Sequence, residues 1–496
     1  MKIQWIKKNE VQSVSQLRKA IETCKDGIIG IGAPAVMKEL SPVQLQLWIS
    51  ETDVVHAGLC FGSGVAFESV QLCTFDWHFL NPLIDRPAVS WKATRDFILF
   101  DKKLLSTIGT IDEKYEDPDA ALMDFVYRAL LAGAKTIHQP LPATLLSSTI
   151  HALPLLDEML FVRKHFNRKA QSFYRLCQLF LRGKWLIIPN VVLDQAENNV
   201  AESFKLTSTK TEVSVDSYSA LIPTIDRYAY ITKSIDSLLA LPFPPKEIVV
   251  VDQTPLQRRK PEIYEPYLQR GILKLIFLDR SGQSTARNLG LKAMTQAWAL
   301  LFEDDSEAWS GMVEEHIDLL KKSGCDVSTG VIVPPGADES FIPLRNRRYF
   351  LSDIFTTGNA FMKVETALSV GGLDPAFDRG PGADDDFGKR LYRSGKIIVY
   401  NFKSIETHHK APQGGMRVHG IWWRNKSTLF GPFPPVTQTF AIKKYYKREY
   451  LKYLILNMVL KARKKYSLTA YMIFFLLLPY KLFISIRQAD KLNNSL

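Results

Sequence analysis

The sequence predicts an α/β fold in which a mostly parallel sheet is covered by helices on both faces. Between residues 217 and 303, short apolar runs rich in β-forming residues alternate with helical stretches. The predicted strands are Ala220–Pro223, Glu247–Asp252, Leu273–Leu278 and Trp298–Phe302, and the predicted helices are Tyr228–Leu241, Pro261–Arg270 and Ser284–Gln296. Ligands of such sheets bind beyond the carboxyl ends of the strands. Asp252 and the acidic run Glu303-Asp304-Asp305 both fall there.

An internal repeat is the second observation that bears on the fold. Gly109, Asp112, Ala121, Asp124, Phe125, Arg128 and Gly133 recur, each 262 residues later, as Gly371, Asp374, Ala383, Asp386, Phe387, Arg390 and Gly395. Similarity at a fixed separation indicates a duplicated unit. Residues 1–190 are therefore predicted to be a degenerate α/β copy of half of the domain that follows. The alternative is a chance match between two β-helix-β segments, because the identity is low.

Composition and charge limit the class of protein. A chain of 496 residues with 46% hydrophobic and 23% charged residues is expected to fold into two or three domains. Its formal net charge of +12 favours an anionic partner such as a nucleotide, a nucleic acid or a membrane surface. The five cysteines are scattered and lack C-x-x-C spacing, which argues against a disulfide framework and for a reducing compartment. The amino terminus lacks an apolar signal core, so export is not expected.

The carboxyl-terminal segment differs from the rest of the chain. Residues 443–465 carry nine basic residues and one acid, Glu449, and an apolar run follows from Ser467 to Ile486. Pro479 and Lys481 interrupt this run, which favours a helix on the membrane surface over a clean span. A single span and a buried helix are the alternatives. The predicted domains are thus 1–190, a linker at 191–215, a principal domain at 216–430 and a helical tail at 431–496.

Eight short motifs in the principal domain occur in a fixed order. They are Pro223–Arg227, Val250–Asp252, Gly282–Gly290, Phe302–Asp305, Gly358-Asn359, Gly371–Asp374, Asp384–Asp386 and His408. In this order and at these spacings they resemble the family 2 glycosyltransferases, which have the GT-A fold. The resemblance covers residues 217–425 and implies a Rossmann-like nucleotide-binding half.

The resemblance implies a binding site for a nucleotide-diphosphate sugar. Residues after the first two strands would contact the base and ribose, and a helix that begins near residue 284 would present an arginine to the phosphates. The residues expected to bind the donor are Pro223, Thr224, Arg227, Asp252, Gln283, Arg287, Asn288, Glu303 and Asp304.

A divalent ion is expected beside this donor. Three consecutive carboxylates repel one another, and a hard cation that bridges to a diphosphate would neutralise them. In the family, the position of Asp305 ligates the metal, and His408 is the matching imidazole, although His409 is adjacent. Glu303 takes the first acidic position, which in the family lies near the ribose or a metal-bound water and is more commonly an aspartate. The expected ion is Mn²⁺ or Mg²⁺.

The family pattern assigns the catalytic base to Asp384, which would take a proton from the acceptor hydroxyl. The family often has an acid before this position, but this chain has Ala383, and Asp385 is expected to supply part of that function. The expected acceptor-binding residues are Gly358, Asn359, Trp422 and Trp423. In the amino-terminal copy, the base position is Leu122 and the metal position falls in Ile31-Gly32-Ala33, so chemistry is not expected there.

The expected function is an inverting, metal-dependent transfer of a sugar to a glycan or a polyprenyl-diphosphate-linked glycan in surface-polysaccharide biosynthesis. The basic tail places the enzyme on an anionic membrane surface, at the cytoplasmic face. Homo-oligomerisation through residues 1–190 is a further expectation. Nucleic acid is not an expected partner, because the basic residues cluster beside an apolar helix. The alternatives are a non-catalytic glycan-binding scaffold and a sugar nucleotidyltransferase, which would need a glycine-rich basic loop after the first strand.

Overall fold

The computed structural model describes residues 3–25, 27–57, 78, 80, 85–145, 153–182, 213–342, 349–352, 354–412, 431–446, 450–463 and 467–494. Two β-sheets lie in this part of the chain, and one continuous apolar core runs through both. The predicted α/β class is confirmed. Most of the predicted linker, and both Trp422 and Trp423, lie outside the described residues.

The first sheet belongs to the amino-terminal part of the chain and has the strand order β1-β2-β5-β3-β6-β4. Its strands are β1 Ile3–Lys7, β2 Ile28–Gly32, β3 Val54–His56, β4 Ala88–Val89, β5 Phe97–Asp101 and β6 Thr136–His138. The helices of this part are α1 Val14–Thr23, α2 Pro34–Glu39, α3 Pro42–Glu51, α4 Leu104–Ile108, α5 Pro118–Leu131, α6 Leu155–His165 and α7 Arg168–Arg182. Alternate residues of β5 enter two apolar clusters, Ile98 and Phe100 in one and Phe97 and Leu99 in the other. This sheet is therefore buried on both faces.

The second sheet has the order β11-β15-β12-β14-β10-β7-β8-β9, with β13 also paired to β15. Its strands are β7 Ser219–Thr224, β8 Glu247–Asp252, β9 Leu273–Phe277, β10 Trp298–Phe302, β11 Ser306–Ala308, β12 Val327–Val333, β13 Tyr349–Leu351, β14 Asn359–Lys363 and β15 Ile398–His408. The helices between them are α8 Tyr228–Leu239, α9 Glu265–Gln269, α10 Gln283–Ala293, α11 Met312–Ser323, α12 Val364–Ser369 and α13 Ala383–Arg393.

The parallel block of the second sheet agrees with the prediction, and the other half is mixed. Strands β9, β8, β7 and β10 are all parallel neighbours, so their carboxyl ends meet at one edge. Beyond β10, strand β14 runs antiparallel to both β10 and β12, and β11 and β13 run antiparallel to β15. The expectation of a mostly parallel sheet is therefore only partly met.

The two sheets share one topology over six strands. The order β1-β2-β5-β3-β6-β4 recurs as β7-β10-β14-β12-β15-β13, with the same parallel or antiparallel direction at each step. The register also recurs: Val89 pairs with Ile137, and Leu351 pairs with Val399, each residue 262 positions later. Strands β8, β9 and β11 have no counterpart among the described residues of the first sheet.

The two sheet units pack on each other through reciprocal contacts. Helix α5 of the first unit packs against β13 of the second, and α13 of the second packs against β4 of the first. Gly133 lies against the ring of Tyr349, and Gly395 lies against the carbonyl oxygen of Pro87. Tyr349 follows Pro87 by the same 262 residues. Contacts that interchange in this way have the pattern of a two-fold, isologous interface.

The described residues after the second sheet form three helices: α14 Val436–Tyr445, α15 Tyr450–Arg463 and α16 Leu468–Asn494. Helix α16 packs on α14, where the hydroxyls of Thr439 and Ser485 are 2.7 Å apart. Pro479 lies inside α16 without ending it. Within the described residues, the segment Leu468–Leu492 is the one helix long and apolar enough to cross a membrane.

Candidate active site

Three consecutive acids lie at the carboxyl edge of the parallel block. Strand β10 is apolar and wholly buried, and Glu303-Asp304-Asp305 follow it directly. One ligand oxygen from each acid lies within 4.8 Å of the others. Like charges at this spacing repel one another, so the group requires cationic partners.

Two basic side chains lie against the second and third acids, Asp304 and Asp305. Arg227, in the turn after β7, donates from Nη1 to Asp304 at 2.5 Å and to Asp305 at 2.9 Å. His408, the last residue of β15, has its Nε2 3.1 Å from Asp305 Oδ1. The second oxygen of Asp305 accepts the backbone N–H of Ala411 at 2.8 Å. Asp305 is therefore the acid on which the contacts converge.

The pKa values of these groups differ because their partners differ. Burial raises the pKa of Asp304 to about 7, against the opposing effect of Arg227. Burial also acts to raise the pKa of Asp305, but the hydrogen bond with His408 and the charge of Arg227 outweigh it, and the pKa is lowered. The hydrogen bond with Asp305 raises the pKa of His408. Oxygen ligands with one imidazole fit a hard divalent ion such as Mn²⁺ or Mg²⁺.

A fourth carboxylate, Asp384, lies beside this group. Asp384 accepts a hydrogen bond from the hydroxyl of Thr357 at 3.0 Å, and the same hydroxyl lies 3.4 Å from Glu303. Arg287 donates from Nη2 to Glu303 at 2.6 Å. Burial raises the pKa of Asp384, Arg287 lowers it, and Glu303 raises it further. A carboxylate in this setting is a better proton acceptor than an exposed one.

Helix α13 positions Asp384 and turns its neighbours elsewhere. Gly382, with φ of 108°, allows the chain to enter the helix, and acids in a first helical turn are favoured by the helix dipole. Asp385 is ion-paired with Lys389 on the same helix, and its side chain is 47% exposed. Asp386 is fully buried on the opposite side. One acid of the three therefore enters the site.

The nucleotide side of the edge is formed by β7 and β8. Thr224 pairs with Asp252 in the sheet, and the Thr224 hydroxyl donates to Asp304 at 2.7 Å. Asp252 is fully buried and accepts hydrogen bonds from the hydroxyls of Tyr228 at 2.8 Å and Tyr264 at 3.2 Å. The structure therefore brings Asp252 to the edge, where it also fixes two tyrosines.

Residues 219–376 match the family described as Glycosyl transferase family 2. The sequence of this segment is thus similar to that of the family 2 glycosyltransferases. It contains Thr224, the acids after β10, and Thr357, whereas Asp384 and His408 follow it in the chain.

The chain is also similar, at low identity, to solved glycosyltransferase structures. These include GalNAc-T7 with UDP, GalNAc and Mn²⁺ (15% identity, TM-score 0.34, covering 39% of this chain and 44% of that one). Another is TarS 1-349 of S. aureus (18%, TM-score 0.33, 39% and 60%). A third is the mannosyltransferase PcManGT from Pyrobaculum calidifontis in complex with GDP-Man and Mn²⁺ (15%, TM-score 0.35, 55% and 85%). The match spans about half the length of the first two. No curated protein matches the chain in sequence.

Several residues predicted for the glycosyltransferase site make other contacts. Gln283 donates to the carbonyls of Phe377 and Gly380, at 2.9 Å each. Asn288 exchanges two 2.7 Å hydrogen bonds with the backbone of Leu373, so it holds the turn at residues 371–374. These two amides therefore tie α10 to the loop before α13.

Asn359 and Asp385 make contacts other than those predicted for them. Asn359 is fully buried and its Oδ1 lies 2.8 Å from His316 Nε2, so it belongs to the core behind the edge rather than to an acceptor surface. Asp385 is ion-paired with Lys389 on the same helix. Gly358 does lie at the site, because a Cβ there would be 3.0 Å from Glu303 Cγ.

Two side chains of the glycosyltransferase site were not predicted from the sequence. Thr357 links Asp384 to Glu303. It was missed because it lies one residue before the predicted motif Gly358-Asn359. Glu406 is fully buried, and burial together with the charge of Glu303 raises its pKa well above the ordinary value. The alternation of β15 places Glu406 on the same face as His408, which is the one sequence signal for it. His409, by contrast, lies 2.8 Å from Glu307.

Proposed function

We propose that this chain transfers a sugar from a nucleotide-diphosphate donor to an acceptor hydroxyl, with inversion at the anomeric carbon. The observation that carries the proposal is the junction at Thr357, where the candidate base Asp384 meets Glu303, the first acid of the strand-end group. A proton acceptor thus lies next to a cluster suited to a metal and a diphosphate. The family match supports the reaction class.

Asp305 and His408 are the residues that would hold a divalent ion, with Asp304 beside them. When bound, such an ion supplies charge that stabilises the nucleoside diphosphate as it leaves. Arg227 is ion-paired with both Asp304 and Asp305 in this structure, and its five donors also suit phosphate oxygens. Arg227 would therefore move from the acids to the diphosphate when a donor binds.

Asp384 performs the proton transfer in this scheme. Its carboxylate takes the proton of the acceptor hydroxyl while the hydroxyl oxygen forms the new bond to the anomeric carbon. The bond from that carbon to the diphosphate oxygen breaks in the same step, and a single displacement inverts the configuration. Thr357 holds the carboxylate in place through its 3.0 Å hydrogen bond. Arg287 holds Glu303 through the 2.6 Å hydrogen bond from its Nη2.

The finer parts of the function follow the same proposal. The acceptor is a glycan or a polyprenyl-diphosphate-linked glycan in surface-polysaccharide synthesis, presented at the cytoplasmic face of a membrane, because the apolar helix α16 follows the catalytic unit. The first sheet unit acts as a degenerate, non-catalytic copy. Its residue at the base position, Leu122, is fully buried, and the shared strand order supports the duplication.

A second candidate is a non-catalytic glycan-binding domain of the same fold. The observation that favours it is the ion pairing of Asp304 and Asp305 with Arg227, a side chain of this chain that offsets part of their negative charge. A transferase would give up these ion pairs when metal and donor bind, whereas a binding module would keep them.

The deciding experiment combines thermal shift with turnover. The full chain is tested with a panel of nucleotide sugars, including UDP-GlcNAc and GDP-Man, with and without Mn²⁺. A transferase predicts a donor-dependent stabilisation that requires the metal, and Asp305→Asn abolishes it. The control is Glu307→Gln, since Glu307 is a neighbouring acid that contacts His409. Stabilisation by glycans, with no response to any nucleotide sugar, would establish the binding module instead.

A further inference from the structure

Helix α16 has two faces of opposite character. At about 100° per residue, Phe474, Lys481, Ser485 and Ala489 share one face, and all four are buried. The opposite face is apolar and exposed, and it consists of Leu468, Met472, Phe475, Leu476, Tyr480 and Phe483. Leu476 at its centre is 78% exposed. The helix therefore packs on the protein with one side and presents an apolar stripe with the other.

The exposed face continues into basic residues. Arg487 and Lys491 follow Leu476 and Phe483 on the same side of the helix and are exposed. Lys452 and Arg463 are exposed on the neighbouring helix α15. An apolar stripe flanked by lysine and arginine is the pattern of a helix that lies in the headgroup region of an anionic membrane.

The contacts of the buried face hold α16 against the protein. The Ser485 hydroxyl donates to the carbonyl of Pro434 at 2.7 Å, and the Lys481 carbonyl accepts the backbone N–H of Phe433 at 3.1 Å. Outside the buried face, the exposed Asp490 is ion-paired with Lys443 of α14. A helix that crossed the bilayer would have to give up these polar contacts inside a medium that offers no replacement. An in-plane position keeps them.

The buried face also reaches the neighbourhood of the candidate base. Ala489 shares one apolar cluster with Phe377 and with Ala383, the residue directly before Asp384. The outer face of α16 is therefore about one helix diameter from Ala383, the first residue of α13. A surface on which α16 docks would lie close to the acceptor side of the site.

We propose that the outer face of α16 docks in the plane of an anionic lipid bilayer, and that this docking brings the acceptor side of the site to the level of the headgroups. The argument for docking depends only on the buried and exposed faces of α16. Its consequence for the acceptor rests on the proposed transferase function, and the following binding test uses no substrate, so the two can fail separately.

The test is flotation of the full chain with two kinds of vesicle. One kind is neutral phosphatidylcholine, and the other is phosphatidylcholine with roughly 30% phosphatidylglycerol, which gives the surface a negative charge. The native chain is expected to float with the anionic vesicles. Leu476→Ser combined with Phe483→Ser is expected to lower the bound fraction at least about tenfold. The matched control is Val43→Ser, because Val43 on α3 is also 78% exposed but belongs to the first unit. This variant is expected to float like the native chain.

Three outcomes overturn the proposal. One is unchanged flotation of the Leu476→Ser, Phe483→Ser variant, and another is equal binding to neutral and anionic vesicles. The third is a native dimer, seen by light scattering without vesicles, that the same variant converts to a monomer while neither protein floats. That last result would assign the face to a second copy of the chain.

Orientation is tested separately with Ser467→Cys and Gln488→Cys, which lie near the two ends of α16. Each is compared with the native chain for labelling by a membrane-impermeant maleimide after binding to sealed vesicles. In-plane docking predicts added labelling at both positions. Labelling at one end only would show a span and overturn the in-plane arrangement.

Discussion

Replacement of Asp384 by asparagine separates proton transfer from donor binding. Asparagine has nearly the same shape and still accepts the 3.0 Å hydrogen bond from Thr357, but it cannot take a proton. Loss of a general base costs roughly 10²–10⁴ in rate, and we expect about 10³ here because Thr357 keeps the side chain in place. Asp305 and His408 have no direct contact with Asp384, so the affinities for metal and donor should change by about twofold or less.

The control is Asp385→Asn on the same helical turn. Asp385 is paired with Lys389 and half exposed, so its loss should change turnover by about threefold at most. Both variants are assayed for initial rates at saturating donor and acceptor, and for Mn²⁺ and donor dissociation constants by calorimetry. The rate is also followed against pH. Burial raises the pKa of Asp384, and only its ionised form accepts a proton, so native turnover should fall as the pH drops through that raised value.

Three results would refute this reasoning. If Asp384→Asn transfers sugar at close to the native rate while Asp385→Asn is inactive, the base is the neighbouring acid and the Thr357 contact is incidental. If neither substitution affects the rate, the displacement mechanism itself is wrong. A loss of donor affinity equal to the loss of rate in Asp384→Asn would place this residue on the donor side.

Three further predictions address the support of the site. Lys444 is ion-paired with two buried carboxylates in the second unit, and Lys164 is ion-paired with two in the first. Lys444→Met and Lys164→Met should therefore destabilise the chain by a similar amount, about 3 kcal/mol by denaturant unfolding. Only Lys444→Met should lower turnover of the folded protein. Equal turnover in both would contradict a positioning role for Lys444. Thr357→Val should lower turnover about fivefold, the equivalent of one hydrogen bond to Asp384, with donor affinity unchanged in calorimetry. Burial lowers the pKa of His316 to about 4, so the unfolded state takes up a proton below about pH 6.5 before the folded state does, and stability should fall by about 3 kcal/mol between pH 7 and pH 4. His316→Gln should show a shallower loss over that range, and an unchanged slope would count against this assignment.

The parallel block could be predicted because its signal is local. Strands β7, β8 and β10 are continuous apolar runs followed by helices, and parallel strands with both faces covered give this pattern. The antiparallel strands beyond β10 depend on pairings between distant segments, for example Phe302 with Asn359. No periodicity in the sequence encodes such a pairing.

The site was predictable in position and less so in contacts. Acids that follow a buried strand must lie at its carboxyl edge, so Asp305 could be placed from the sequence alone. Which side chain faces which acid depends on loops and rotamers. Arg227 could be expected near a donor, but its ion pairs with Asp304 and Asp305 arise only when the turn after β7 folds over β10. Asn288 is the opposite case. Its motif suggested a contact with the ligand, but its side chain is hydrogen-bonded to the backbone of Leu373 in the turn at residues 371–374.

The first unit provides an internal comparison for the helix that carries the candidate base. In the second unit, Lys444 lies 2.7 Å from both Asp374 and Asp386. In the first unit, Lys164 lies 2.8 Å from Asp112 and 3.0 Å from Asp124, the residues 262 positions earlier. The same carboxylates and a lysine from the following helix thus meet in both units.

This carboxylate–lysine arrangement occurs where no chemistry is expected, because Leu122 occupies the base position of the first unit. The role that this arrangement has in both units must therefore be structural. It joins the helix after the glycine turn to the next helix of the unit. In the second unit, the same fastening fixes the helix on which Asp384 stands. The chemistry then depends on the residues that differ between the units, above all Asp384 and the acids after β10. For that reason the comparison of Lys444→Met with Lys164→Met separates the stability that both units need from the positioning that only the second unit uses.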